Sequence, residues 1–119
     1  MNGKAARPLS RGEIGVLVLA ALTGAIHLLL GILFFPDFLA ILFIGAAGGY
    51  AVGIVLVIRD TLRRVVYVGG IPFVGSQIIA WYALNRPQSV GDVGPIEAID
   101  KIIQVILILG LIVMSIRES

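Results

Sequence analysis

The sequence predicts an all-α integral membrane protein, a bundle of four transmembrane helices with both termini in the cytoplasm. Three observations predict it. Four long apolar runs divide the 119 residues. Hydrophobic residues are 59% of the chain and charged ones 13%, where a soluble domain has about a quarter charged, and mean hydropathy is +1.07. Seven of the nine basic residues fall on one side of the runs.

Residues 1–13 are polar, contain Gly3, Pro8 and Gly12, and are expected to form a cytoplasmic tail or a short interfacial segment. The first span is residues 14–35. Lys4, Arg7 and Arg11 precede it as in a signal peptide, but a signal core is about 7–15 residues and this run is longer, so it is expected to remain as a span. Pro36-Asp37 makes a tight turn before the second span, residues 38–58. A short charged loop, 59–64, leads to the third span, residues 65–84. The longest loop runs from Asn85 to Gly94 and carries Pro87, Gly91 and Asp92. Pro95 opens the fourth span, residues 95–116, at a position where its missing N–H has no helical partner to lose. Residues 117–119 form a short cytoplasmic tail.

Each run has about 20 residues, enough to cross a hydrocarbon core of about 30 Å at 1.5 Å per residue. The many Val and Ile residues could favour strands. Membrane strands are about 9–11 residues and alternate polar with apolar, which these runs do not, so helices satisfy the backbone in lipid. Lys4, Arg7, Arg11, Arg59, Arg63, Arg64 and Arg117 lie on one side, and only Arg86 and Lys101 on the other. The positive-inside rule then puts both termini in the cytoplasm, with Trp81 and Tyr82 as anchors at the outer interface.

Composition excludes several functions. The pI of about 9.4 arises from charges at the ends of apolar runs without a basic face, so nucleic acid is not an expected partner. The absence of cysteine excludes disulfides and thiolate chemistry. The two halves share no spaced motif, which argues against an inverted-repeat transporter. No motif for catalysis, a metal or a cofactor stands out, and none of these is expected.

Three groups of residues could carry a role. Gly45, Gly49 and Gly53 form a stripe at a spacing of four that permits close helix approach. The expected contact is with the first or third span, and a dimerisation face is the alternative. Arg59, Arg63 and Arg64 are candidate contacts for anionic lipid headgroups. The third group is a buried polar cluster of His27, Gln77 and Gln104. These lie about 12, 10 and 13 Å from the outer ends of their spans, and an unpaired amide or imidazole in hydrocarbon is costly, so they are expected to meet, with Trp81 as a cover. His27 is the only histidine. Its expected state is a hydrogen-bonded structural residue, with a proton relay or haem ligation as the sharper alternatives. Glu97, Asp100 and Lys101 share a face with Gln104, and Glu97 can pair with Lys101; they are expected to be interfacial charges, with the polar wall of a vestibule open to the outside as the alternative. Gly69, Pro72, Ser76, Ala80 and Ala83 form a further stripe, read as close packing around a static kink at Pro72, with a gating hinge as the alternative.

The strings Thr23-Gly24-Ala25-Ile26-His27-Leu28 with Gly31, Tyr67-Val68-Gly69-Gly70-Ile71-Pro72-Phe73, Gln77-Ile78-Ile79-Ala80-Trp81-Tyr82 and Asp100-Lys101-Ile102-Ile103-Gln104 resemble small four-helix membrane proteins of haloarchaea, a family without assigned function. The resemblance covers most of the chain after residue 13. It implies a plasma-membrane protein of a high-salt organism and no particular reaction. Length and helix count are also similar to those of small multidrug transporters. Those carry a glutamate embedded in the first helix, and this first span has none past Glu13.

The expected function is therefore a non-enzymatic structural or accessory component of the plasma membrane, its partners the lipid bilayer and either further copies of itself or a larger membrane complex. The alternative is a small transporter or channel with an outward-facing polar pocket around His27.

Overall fold

The computed structural model describes residues 7–86, 88, 91 and 93–117. Four helices follow one another: α1 Arg11–Phe34, α2 Phe38–Ile58, α3 Arg63–Asn85 and α4 Pro95–Arg117. Among the described residues there is no strand. All four helices are long and apolar enough to cross a membrane. Lys4, Pro87 and Asp92 lie outside the described residues.

Two helices start earlier than their apolar runs. α1 begins at Arg11 because Ser10 caps it: the Ser10 hydroxyl accepts from the Glu13 N–H, and Glu13 Oε1 accepts from the Ser10 N–H. This is a capping box. α3 begins at Arg63, so the charged loop shrinks to four residues, Arg59 to Leu62. Asp60 and Leu62 take φ of 54° in this turn; the left-handed conformation is common just after a helix ends, where Asp60 stands. The Thr61 N–H closes on the Leu56 carbonyl at 2.9 Å. α1 ends just before Pro36, consistent with the restriction proline places on the residue before it.

The chain pairs as two antiparallel hairpins. α1 packs most extensively on α2 and α3 on α4, contact between α1 and α4 joins the hairpins, and α2 and α3 touch least. The distribution of side chains inverts that of a soluble protein. Ile32, Leu33, Val52, Ile79, Leu109 and many other large apolar residues face outward, while Glu13, Thr23, His27, Arg63, Asp100 and Gln104 are buried. The apolar core between them includes Val16, Val57, Val74, Leu107, Leu111 and Met114.

The structure corrects the packing face of α3. Gly69, Pro72, Ser76, Ala80 and Ala83 are exposed, and the helix runs unbroken through Pro72. The packed face is the opposite one, with Tyr67 and Val74 buried and Gly70 lying against Leu111. Pro72, Ser76, Ala80 and Ala83 thus face away from the bundle, where the apolar majority also points, while Gly69 is exposed on the groove between α2 and α3. The glycine stripe of α2 splits. A Cβ on Gly49 would lie 2.6 Å from the Phe73 ring and one on Gly53 3.5 Å from Val66, both on α3, whereas Gly45 faces open space.

Candidate functional site

The most concentrated polar chemistry lies between the loop-side end and the middle of the bundle, and every helix contributes to it. Thr23 and His27 stand one turn apart on the inner face of α1, as do Asp100 and Gln104 on α4. All four are buried, at 0, 4, 4 and 0% exposure respectively. The Thr23 hydroxyl donates to Asp100 Oδ1 at 2.6 Å. Lys101 Nζ donates to Asp100 Oδ2 at 3.0 Å and to Gln104 Oε1 at 2.7 Å. Gln104 Nε2 in turn donates to Gln77 Oε1 at 2.9 Å and to the Tyr50 hydroxyl at 3.3 Å. The Tyr50 hydroxyl donates to Gln77 Oε1 at 2.8 Å. One connected network therefore runs from α1 through α4 to α3 and α2.

His27 sits beside this network without touching either glutamine. Its Nδ1 lies 2.7 Å from the Thr23 carbonyl. A carbonyl can only accept, so Nδ1 carries the hydrogen. The same nitrogen is 4.0 Å from Asp100 Oδ1, and the ring packs at 5.8 Å centroid distance against both Phe43 and Tyr50. The expected three-way meeting is thus corrected: Gln77 and Gln104 bond each other, while His27 is joined to them through Thr23 and Asp100 and by its packing against Tyr50. Helical rotation explains the difference, because equal depth does not ensure that side chains point the same way.

Asp100 and Lys101 also depart from expectation. Neither stands free on the surface of the bundle: Asp100 is buried, and the Lys101 side chain is 16% exposed. Their pairing inside the bundle neutralises two charges that would each be costly alone in a low-dielectric interior. Glu97 does not pair with Lys101. It accepts from the Trp81 indole at 3.0 Å, and Lys101 Nζ lies 5.6 Å from the centroid of that indole. Trp81 and Glu97 thus flank the lysine on its more open side. Within the cluster Gln77 Nε2 is buried without a hydrogen-bond partner.

A second cluster lies at the other end. Glu13, 1% exposed, accepts from the Tyr67 hydroxyl and from Arg7 Nη2, and its Oε2 is 3.6 Å from Arg63 Nη1. Arg63 also donates to the Val57 carbonyl at 2.8 Å and the Arg7 carbonyl at 2.7 Å, and pairs with Asp60 at 3.3 Å. Arg63 is thereby removed from the candidate headgroup contacts, since it is 3% exposed and its guanidinium faces Glu13. Arg59 and Arg64 are exposed. The Ser10-Arg11-Gly12-Glu13 spacing is a readable capping signal that would have placed Glu13 inside the helix start.

Between the clusters lies the apolar layer of Val16, Val74, Leu107 and Leu111. No group of three or more His, Asp or Glu side chains able to hold a metal occurs among the described residues.

The chain belongs to a family of unknown function, DUF7475, whose sequence model matches residues 4–114. No curated protein and no solved structure matches it.

Proposed function

We propose that this member of the DUF7475 family is a non-enzymatic structural or accessory component of an archaeal plasma membrane, crossing it four times with both ends in the cytoplasm. One observation carries the reading: polar side chains from all four helices bond one another, with Gln77 Nε2 left over, instead of lining an open path. Asp100 is engaged by Thr23 and Lys101, and Gln104 by Lys101, Gln77 and Tyr50. The apolar layer separates this network from the Glu13–Arg63 cluster. A polar group held in hydrocarbon is normally stabilised by such pairing, and a conducting pathway needs polar or titrating groups along its length. The division of basic residues supports the orientation. The resemblance to small haloarchaeal membrane proteins supports the plasma-membrane location.

Extraction of the tagged chain in mild detergent, followed by identification of stoichiometric companions, tests the accessory role. Reconstituted vesicles test the second reading, a small transporter or channel with an outward-facing pocket around His27. That reading is favoured by the partial exposure of Lys101 beside Glu97 and Trp81. Vesicles carrying the protein should hold proton and solute gradients as well as empty ones. Flux that disappears in a folded His27→Ala protein would replace the first reading with the second.

A further inference from the structure

The sparse contact between α2 and α3 leaves an apolar cavity of about 290 Å³ on the side of the bundle that carries the charged turn. We propose that it holds one acyl chain of an anionic lipid whose headgroup is bound by Arg59 and Arg64.

The shape of the cavity selects the occupant. Its lips are Val52 on α2 and Val65 on α3, 60% and 62% exposed, so it opens sideways to the surroundings of the bundle. Its back wall reaches Leu107 and Leu111 of α4. It is closed towards the outer cluster by Phe73, whose ring lies against Gly49 and meets Tyr50 edge-on at 5.1 Å. From Gly49 to Val57 the α2 wall advances by eight residue steps, about 12 Å along the helix. That is close to the depth of one leaflet, half of a hydrocarbon core of about 30 Å. A helix from a second copy would extend beyond this groove over the rest of the bundle. A single acyl chain entering from one headgroup layer needs only this half.

Charge at the open end selects the headgroup. Val57 lies two residues before Arg59, and Arg64 immediately precedes the lip residue Val65. Arg63 is consumed by Glu13, Asp60 and two carbonyls. The side chains of Arg59 and Arg64 are exposed and have no partner among the described residues. Asp60, the acidic residue of that turn, is occupied by Arg63 and by the Arg7 N–H. Two uncommitted guanidiniums thus stand at the mouth of an apolar slot, and a guanidinium suits a phosphate by its paired donors.

The test is native mass spectrometry of the full chain released from nanodiscs of equal dioleoyl phosphatidylglycerol and dioleoyl phosphatidylcholine. One retained phosphatidylglycerol per chain is expected, preferred by about thirtyfold, the factor two basic residues supply near an anionic surface. The R59Q/R64Q protein should lose the preference. Gly69→Leu should remove bound lipid of either kind: Gly69 lines the cavity, and its Cβ position meets nothing within 4 Å, so the added side chain fills the slot without a clash. Equal retention of the two lipids by the wild type, an unchanged preference in R59Q/R64Q, or undiminished retention in Gly69→Leu overturns the proposal. So does a lipid-free dimer that Gly69→Leu dissociates, which would make a second copy the occupant. A separate readout uses the single tryptophan of the chain. In W81F/V65W the fluorophore sits at the lip, and brominated phosphatidylglycerol should quench it more than brominated phosphatidylcholine at the same mole fraction. Equal quenching counts against the proposal even if Gly69→Leu fails to fold.

Discussion

The Thr23 hydroxyl and the Asp100 carboxylate, 77 positions apart in the chain, meet at 2.6 Å between α1 and α4. Both side chains are buried. The bond closes the bundle between its first and last helices and holds Asp100 where Lys101 can neutralise it.

Asp100→Ala should therefore cost far more than Thr23→Val. The first leaves the Lys101 ammonium without its counter-charge, and breaking a buried pair this way costs about 3 kcal/mol or more. The second removes one hydrogen bond between membrane helices, worth about 1 kcal/mol. Unfolding in sodium dodecyl sulfate, followed by the fluorescence of Trp81, measures both. Equal losses would mean that the charge pair has no special weight.

Gly49→Leu should destabilise the bundle by about 1–3 kcal/mol through overpacking, because its new side chain runs into Phe73. Gly45→Leu, on the same stripe but facing open space, should be nearly silent. The Gly49 penalty should shrink on a Phe73→Ala background, and a double-mutant cycle reads that coupling. A penalty independent of Phe73 would remove the α2–α3 contact from the explanation.

At the other end, Glu13→Ala should be among the most damaging substitutions. It strips the capping box and leaves Arg63 buried with Asp60 as its remaining carboxylate, with an expected loss of about 3 kcal/mol. Tyr67→Phe removes one donor to the same carboxylate and should cost about 1 kcal/mol. A Glu13→Ala protein as stable as the wild type would show that the cluster is incidental.

Topology is testable without background labelling, because the chain has no cysteine. A cysteine at Gln88 should react with an impermeant thiol reagent in intact cells, and one at Arg64 only after the cells are opened. The reverse order would invert the orientation.

The helices were legible because apolar length and charged flanks report directly on what crosses hydrocarbon. Position along each helix was legible too: Gln77 and Gln104 stand at matching depth and bond each other. Rotation about the helix axis was not. Within an apolar run nearly every face looks alike, so the sequence did not show that Asp100 points inward or that Ser76 points out. Tyr50 was missed as the meeting point of the two glutamines because, inside an apolar run, it reads as one more aromatic. Counting arginines groups the charged loops by side but treats Arg59, Arg63 and Arg64 as equivalent. The partner that distinguishes Arg63 is Glu13, about fifty positions upstream, and a contact so distant in sequence leaves no local pattern.

The division into two hairpins bears on how the chain is assembled. Thr23, His27 and Tyr50 belong to the first hairpin, and Gln77, Asp100, Lys101 and Gln104 to the second. Each half is apolar enough to enter a bilayer, yet the first arrives with the Thr23 donor unmatched and the second with a carboxylate still lacking that donor. Docking of α1 against α4 is the event that unites them. Synthesised as separate fragments cut at the short turn before Arg63, the halves retain a chemical reason to find each other, and co-expression should re-form the bundle by complementation, read by co-purification of one tagged half with the other.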